Sequence, residues 1–231
     1  MSLIRHYNSE DKVLVAVDSV IFGFDREGLK ILLIKRDFEP QKGAWSLMGG
    51  FLKKNETLDQ AANRVLHELT GLDSIYMEQV SSYSALGRDP VERTISVAFF
   101  ALINIAQHDF KLNKAHHAQW FSLPQAPTPI FDHQQMIAEA LERLKRKALT
   151  NPIGFELLPE KFTMRQLQDL YESILNEKLD KRNFINKINA LEILIRLEEK
   201  DKTTSKKGAF LYKFDEEKYN QKIDEGFNFK L

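Results

Sequence analysis

Residues 50–72, GFLKKNETLDQAANRVLHELTGL, hold the side chains whose types and spacing could do chemistry. Gly50, Glu56, Arg64 and Glu68 stand at fixed intervals and are followed by Gly71 and Leu72. Thr57 and Gln60 have capping-box spacing and Gly71 is a C-terminal stop, so a helix is expected between them. On that helix positions 64, 65, 68 and 69 lie close together, because residues three and four apart are neighbours. A cluster of carboxylates there could hold Mg²⁺, which demands oxygen ligands. The ion could then neutralise and polarise a phosphate. Two of the four positions, however, are Val65 and Leu69, which offer no oxygen. Glu68 alone should not hold a catalytic metal well, and it is expected to pair with Arg64 as a structural contact.

This spacing resembles the Nudix family. That pattern is Gly, five residues, Glu, seven residues, then Arg-Glu-apolar-any-Glu-Glu-any-Gly-apolar. Gly50, Glu56, Arg64, Leu66, Glu68, Gly71 and Leu72 fall in register after WSLMGG, while Val65 and Leu69 replace two family glutamates. The resemblance implies a diphosphate-binding frame that has lost its Mg²⁺ cluster. The expectation is no catalytic residue, no metal, no cofactor and no enzyme. The alternative is an active Mg²⁺-dependent pyrophosphatase acting on ADP-ribose or a related nucleoside diphosphate. It would need other carboxylates, such as Glu56 or Glu92, to rebuild the metal site. The segments KRDFEPQKGAW (35–45) and LGRDPVER (86–93) resemble those of Nudix proteins that act on, or sense, ADP-ribose-like compounds. On that resemblance the effector-binding candidates are Arg36, Asp37, Glu39, Trp45, Tyr83, Arg88, Asp89 and Arg93. Arginine and carboxylate groups can grip phosphates and hydroxyls, and an aromatic ring can stack on a sugar or base. His116, His117 and His133 have no partner at a metal-binding spacing and are expected to be surface or core residues.

The elements that must position these groups are legible from periodicity. Residues 13–24 and 29–37 are rich in Val, Ile, Leu and Phe and are joined by a turn-like DREG, which predicts a hairpin. Residues 75–85 and 92–104 are two further strand candidates. Asp132 and Gln135 have capping-box spacing ahead of Met136, Ile137, Ala140, Leu141 and Leu144, so a helix is predicted over 132–149. The first half is therefore α+β or an α/β sandwich, and the Nudix resemblance implies an α/β/α sandwich with a mixed sheet. After Thr150, NPIGFELLPEKF carries two prolines and a glycine and reads as a linker over 151–159. The domains are expected at 1–150 and 151–231.

Beyond the linker, Thr163 and Gln166 form a third capping pair, and Leu167, Leu170, Tyr171, Ile174 and Leu175 make one apolar stripe. A second helix starts near Asp180 with Phe184, Ile188 and Leu191 on its buried side. Two β-type segments follow, at 194–198 and 209–215. Helix, turn, helix and hairpin is the order of a winged helix-turn-helix. Candidate DNA contacts are Arg165 and Gln166 on the first helix, and Lys181, Arg182, Asn183, Asn186 and Lys187 on the second. The hairpin tip adds Lys202, Thr203, Thr204, Lys206 and Lys207. Arg and Lys reach phosphates or guanine edges and Asn can read adenine. The chain as a whole carries 33 Lys+Arg against 33 Asp+Glu, a balance that by itself argues against a nucleic-acid binder. Locally the balance fails, since residues 178–213 hold ten Lys/Arg and five Asp/Glu. A protein-interaction module with a solvated basic face is the other reading of this half.

FTMRQLQDLYESIL, LDKRNF and a basic wing ending LYKF, set behind a Nudix-like half, resemble the Nudix-related transcriptional regulators over nearly the whole chain. Within that family the likeness is nearest to the sugar-responsive branch that controls arabinose use; other members sense ADP-ribose and control NAD metabolism. The resemblance implies a homodimeric regulator with three kinds of partner: a double-stranded DNA operator, a small sugar or sugar-nucleotide effector, and a second copy of itself. The chain has no cysteine and no apolar run near the roughly 18 residues of a membrane span. A cytoplasmic protein without membrane contact is therefore expected.

Overall fold

The computed structural model describes residues 10–72, 75–106, 117–203 and 207–225. In chain order the first half contains β1 (Leu14–Asp25), β2 (Gly28–Lys35), β3 (Trp45–Ser46), β4 (Met48–Phe51) and α1 (Leu58–Thr70). It continues with β5 (Met77–Tyr83), β6 (Thr94–Asn104), β7 (Gln119–Ser122) and α2 (His133–Thr150). The second half contains β8 (Phe162–Thr163), α3 (Met164–Leu175), α4 (Lys181–Leu191), β9 (Leu194–Asp201), β10 (Ala209–Phe214) and α5 (Glu216–Asp224).

Among the described residues seven strands form one sheet in the order β3-β2-β1-β6-β5, with β4 paired to β1 and β7 to β2. β1 and β6 run parallel over their whole length and the other pairs are antiparallel, so the sheet is mixed. The expected hairpin closes with Asp25 opposite Gly28. Gly28 has φ +118°, where a side chain would be strained.

Alternation along β1 sends side chains to both faces, as it must for a strand covered on each side. Ile21 packs under α1 with Leu32, Met48 and Leu66, and Val17 joins a neighbouring cluster with Ala61, Ala62, Val65, Val97 and Phe99. Val20 and Phe22 face the other way, into a core shared with Met136, Ala140 and Leu144 of α2. That same core continues through Leu167, Leu170 and Tyr171 of α3 into Phe184 and Ile188 of α4. The winged helix is thus seated on the Nudix-type sheet through one apolar core.

Two local expectations change. The segment at 151–159 is no loose tether: Ile153, Leu157 and Leu158 are buried, and the Ile153 N–H donates to the Tyr171 hydroxyl at 3.2 Å. Phe155 stacks on Phe214 with centroids 4.0 Å apart. The prolines and glycine that read as a linker instead turn the chain into the core. Asp132 precedes α2, but its side chain makes no capping bond. Both of its oxygens are taken by Arg88, 44 residues away in the chain. Thr57 and Thr163 do form complete capping boxes, with Gln60 and Gln166. β3, β4, β7, β8 and α5 had no counterpart in the sequence reading. No described helix is long and apolar enough to cross a membrane.

Candidate functional site

The helix that carries the Nudix-type signature, α1, places an apolar side chain and an ion pair beside the glycine turn. Val65 is 2% exposed and fills the space beside the glycine turn; a Cβ on Gly50 would lie 2.8 Å from its Cγ2. Glu56 is taken by Arg64, whose Nε and Nη2 donate to its two oxygens at 2.8 and 2.6 Å. That guanidinium, helped by the Lys53 backbone N–H, holds the Glu56 carboxyl at about 2, well below its usual range. Arg64 also meets Glu68 at 3.3 Å, the structural pairing expected for that residue. Among the described residues no group of three His, Cys, Asp or Glu could hold a metal ion. The Mg²⁺ that the Nudix pattern implies therefore has no fitting ligand set here, and Glu56 is not free to rebuild one.

A cleft of about 270 Å³ opens beside the glycine turn, at the junction of β1, β4 and β6 with the start of α2. Arg36, Asp37, Arg88 and Asp89, four of the effector-contact candidates, line it. The Arg36 guanidinium lies 4.0 Å from the Phe38 ring centroid and 5.8 Å from that of Phe131, and its Nε donates to the Pro40 carbonyl. Arg88 is held bidentately by Asp132 at 2.8 and 2.6 Å, which fixes the plane of its guanidinium.

The other four candidates are not among the lining residues. Tyr83 is buried and donates to Glu139 at 2.7 Å; burial, then the Glu139 carboxylate, pushes its pKa up. Trp45 packs edge-on against Phe121 at 4.9 Å. Arg93 donates to the Ala85 and Ser84 carbonyls and so braces the 84–93 loop. Glu39 is exposed, and one of its carboxylate oxygens accepts from the Lys42 N–H at 3.5 Å.

Residues that sequence reasoning did not choose complete the cleft. Asp18, Ser46, Thr94, Phe131 and His133 all line it. Asp18 is buried and accepts a short hydrogen bond from the Ser96 hydroxyl. His133 is 4% exposed, its Nδ1 accepts from the Leu47 N–H at 3.1 Å, and its Nε2 lies 3.7 Å from Asp18. Burial pushes the imidazole pKa down, against the pull of Asp18. The one available signal was a lone acid inside the apolar run VLVAVDSVIFGF. His117 is exposed, and His116 lies outside the described residues.

In the second half β8, β10 and β9 form a three-stranded sheet behind α3 and α4. The Asp180 side chain caps α4 by accepting from the Asn183 N–H at 2.8 Å. Phe184, Ile188 and Leu191 bury one side of α4, which leaves Lys181, Arg182, Asn183, Asn186 and Lys187 exposed together. Lys181 and Arg182 stand in its first turn, where free backbone N–H groups add to the attraction for phosphate. Arg165 is exposed on α3, 3.5 Å from Asp169. Gln166 forms the expected capping pair: its Oε1 accepts from the Thr163 N–H at 2.8 Å. On the hairpin, Lys202, Thr203 and Lys207 are exposed, and Thr203 is tied to Asp201 in a side-chain turn. Thr204 and Lys206 lie outside the described residues. Part of the basic excess is spent internally, through Lys213 to Glu160 at 2.7 Å.

A Nudix-type sandwich whose cleft is lined by arginines and carboxylates, with a winged helix packed on its sheet, defines a DNA-binding regulator built on a Nudix domain. Comparison with known proteins agrees. The NUDIX domain family matches residues 12–144, and the NrtR DNA-binding winged helix domain matches residues 154–214. The chain is 36% identical over 219 residues to the ADPR responsive transcriptional repressor NtrR of Acinetobacter baylyi, covering 92% of this chain and 87% of that one. The crystal structure of Shewanella oneidensis NrtR complexed with a 27mer DNA superimposes with a TM-score of 0.82 at 29% identity, covering 93% of this chain and 97% of that chain. The NUDIX domain of the same Shewanella protein, complexed with ADP ribose, matches with a TM-score of 0.50 at 29% identity, over 61% of this chain and 94% of that chain.

The chain belongs to the NrtR family of Nudix-domain transcriptional regulators. The expected likeness to an arabinose-responsive branch is corrected by these matches: a relative that spans 92% of the chain is an ADPR responsive repressor. The strings RQLQ-LYE and LDKRNF mark the winged helix, which is silent about the effector.

Proposed function

We propose that this protein is a transcriptional repressor that releases its operator when ADP-ribose, or a close sugar nucleotide, fills the Nudix-type cleft, and that it does not hydrolyse the ligand. The supporting observation is the separation of two features that an enzyme would combine. The cleft keeps two arginines poised for a diphosphate, whereas the metal face is sealed by Val65 and by the Glu56–Arg64 pair. Relatives said to respond to ADPR or to bind ADP ribose supply the effector class.

In this reading Arg36, Arg88, Asp37 and Asp89 contact the effector. Lys181, Arg182, Asn183, Asn186 and Lys187 enter the major groove, and the Lys202–Lys207 tip touches phosphate. The effector unit is 1–150 and the DNA unit 151–231. A homodimer in the cytoplasm reads a two-fold operator with half-sites about one helical turn, or a multiple, apart. The ligand must favour one dimer arrangement over another to act at all. Residues 151–159, packed between sheet and α3, are the physical link.

The test is gel-shift titration of the full chain on a DNA site selected from genomic fragments. ADP-ribose should release the DNA, L-arabinose should leave it bound, and ADP-ribose should be recovered intact after incubation with Mg²⁺. Release by arabinose, or Mg²⁺-dependent turnover abolished by Glu68→Gln, would overturn the proposal.

A further inference from the structure

We propose that Asp18 and His133 form a sugar-hydroxyl subsite at one end of the cleft, so that the ligand is a phosphorylated sugar held by its hydroxyls as well as by its phosphates. The inference deepens the effector reading above and rests on it. Parallel pairing of β1 and β6 brings Asp18 and Ser96 to one face, and the Ser96 hydroxyl donates to Oδ2. Oδ1 meets His133 Nε2 only at 3.7 Å, beyond hydrogen-bond reach. Because Nδ1 accepts from the Leu47 N–H, the neutral imidazole carries its proton on Nε2.

The cleft therefore presents one acceptor and one donor side by side, on residues only 7% and 4% exposed. At 3.7 Å these two do not hydrogen-bond each other. One oxygen atom can lie about 2.8 Å from both. A hydroxyl fits, donating to Oδ1 and accepting from Nε2–H. A phosphate oxygen can only accept and is repelled by the carboxylate. Gly49 stands opposite Asp18 in β4, and a Cβ there would lie 2.3 Å from Oδ1. Any other residue at 49 would close the approach. With Arg36 and Arg88 on the same cleft, phosphates and hydroxyls have separate seats.

The experiment compares ADP-ribose with ADP, which carries the same diphosphate without the distal sugar. Calorimetric titration of the full chain should show ADP-ribose bound about tenfold or more tighter than ADP, the scale of a charge-assisted hydrogen bond. Asp18→Asn keeps the Ser96 contact, turns the acceptor into a donor, and should cut that margin several-fold without weakening ADP. His133→Ala should reduce the margin too, and any variant that melts as wild type does is decisive. A folded variant that keeps the wild-type ratio overturns the subsite and leaves the effector reading standing. Wild-type protein that binds neither compound overturns both.

Discussion

Replacing Val65 by Glu puts back a carboxylate that the Nudix pattern has and this chain lacks, and the expected result is a weakened fold. Val65 is 2% exposed among Val17, Ala61, Ala62, Val97 and Phe99, with the Gly50 backbone against its methyl group. Removing a buried valine forfeits about 1.5 kcal/mol of apolar burial. A polar group left without a partner there adds about 1–3 kcal/mol more. A total of about 2.5–4.5 kcal/mol lowers the melting temperature by roughly 5–18 °C, at about 2–4 °C per kcal/mol for a chain of this size. The cost should grow with pH. Burial raises the folded-state pKa of the new carboxyl, so the folded protein binds more protons than the unfolded chain, and stability falls as pH rises from about 5 toward 8. Differential scanning calorimetry of wild type and variant at two pH values measures both effects, and millimolar Mg²⁺ should leave the wild-type melting temperature unmoved. A variant that melts with wild type at both pH values would mean that this face is open and hydrated, which would refute the sealed-site reasoning.

Other outcomes follow from single contacts. Asp132→Ala strands the Arg88 guanidinium, 5% exposed, and should cost about 3 kcal/mol. Arg88→Ala should cost visibly less in the same urea titration, because Asp132 is then free to cap α2, and it should weaken the effector while leaving DNA binding intact. Lys181→Glu with Arg182→Glu should abolish specific DNA binding, leave ADP-ribose binding unchanged, and reduce the salt dependence of residual DNA binding by about one unit of slope per lost phosphate contact. Glu56 is held at about 2, so its contribution is present above the unfolded carboxyl's pKa and is lost as pH falls from about 4.5 toward 2. Glu56→Gln should flatten the melting-temperature profile across that acid window.

What could be read from the sequence was whatever a short stretch decides by itself. The Thr57–Gln60 and Thr163–Gln166 boxes, the αL stop at Gly71 and the buried side of α4 depend on neighbours within one or two helical turns. The Asp132–Gln135 box failed for the complementary reason. Its spacing was right, but a guanidinium from a distant loop reached Asp132 first. The linker failed likewise: proline and glycine say where the chain turns, and only the sheet and α3 say whether the turn is covered.

The cleft divides along the same line. Of the candidates picked on the resemblance of two segments, Arg36, Asp37, Arg88 and Asp89 line the cleft beside the glycine turn. Type alone could not separate them from Tyr83, Trp45 and Arg93, whose polar or aromatic groups are engaged by Glu139, Phe121 and two backbone carbonyls. Asp18 and His133 were passed over because each is uninformative alone, an acid in an apolar strand and a histidine without a spaced partner. They meet only because β1 lies against β6 and α2 begins above it. A site assembled from one residue per element leaves no spacing to read. The α1 signature, written within 23 consecutive residues, stays legible even though Val65 stands in it for a carboxylate and Glu56 is paired with Arg64.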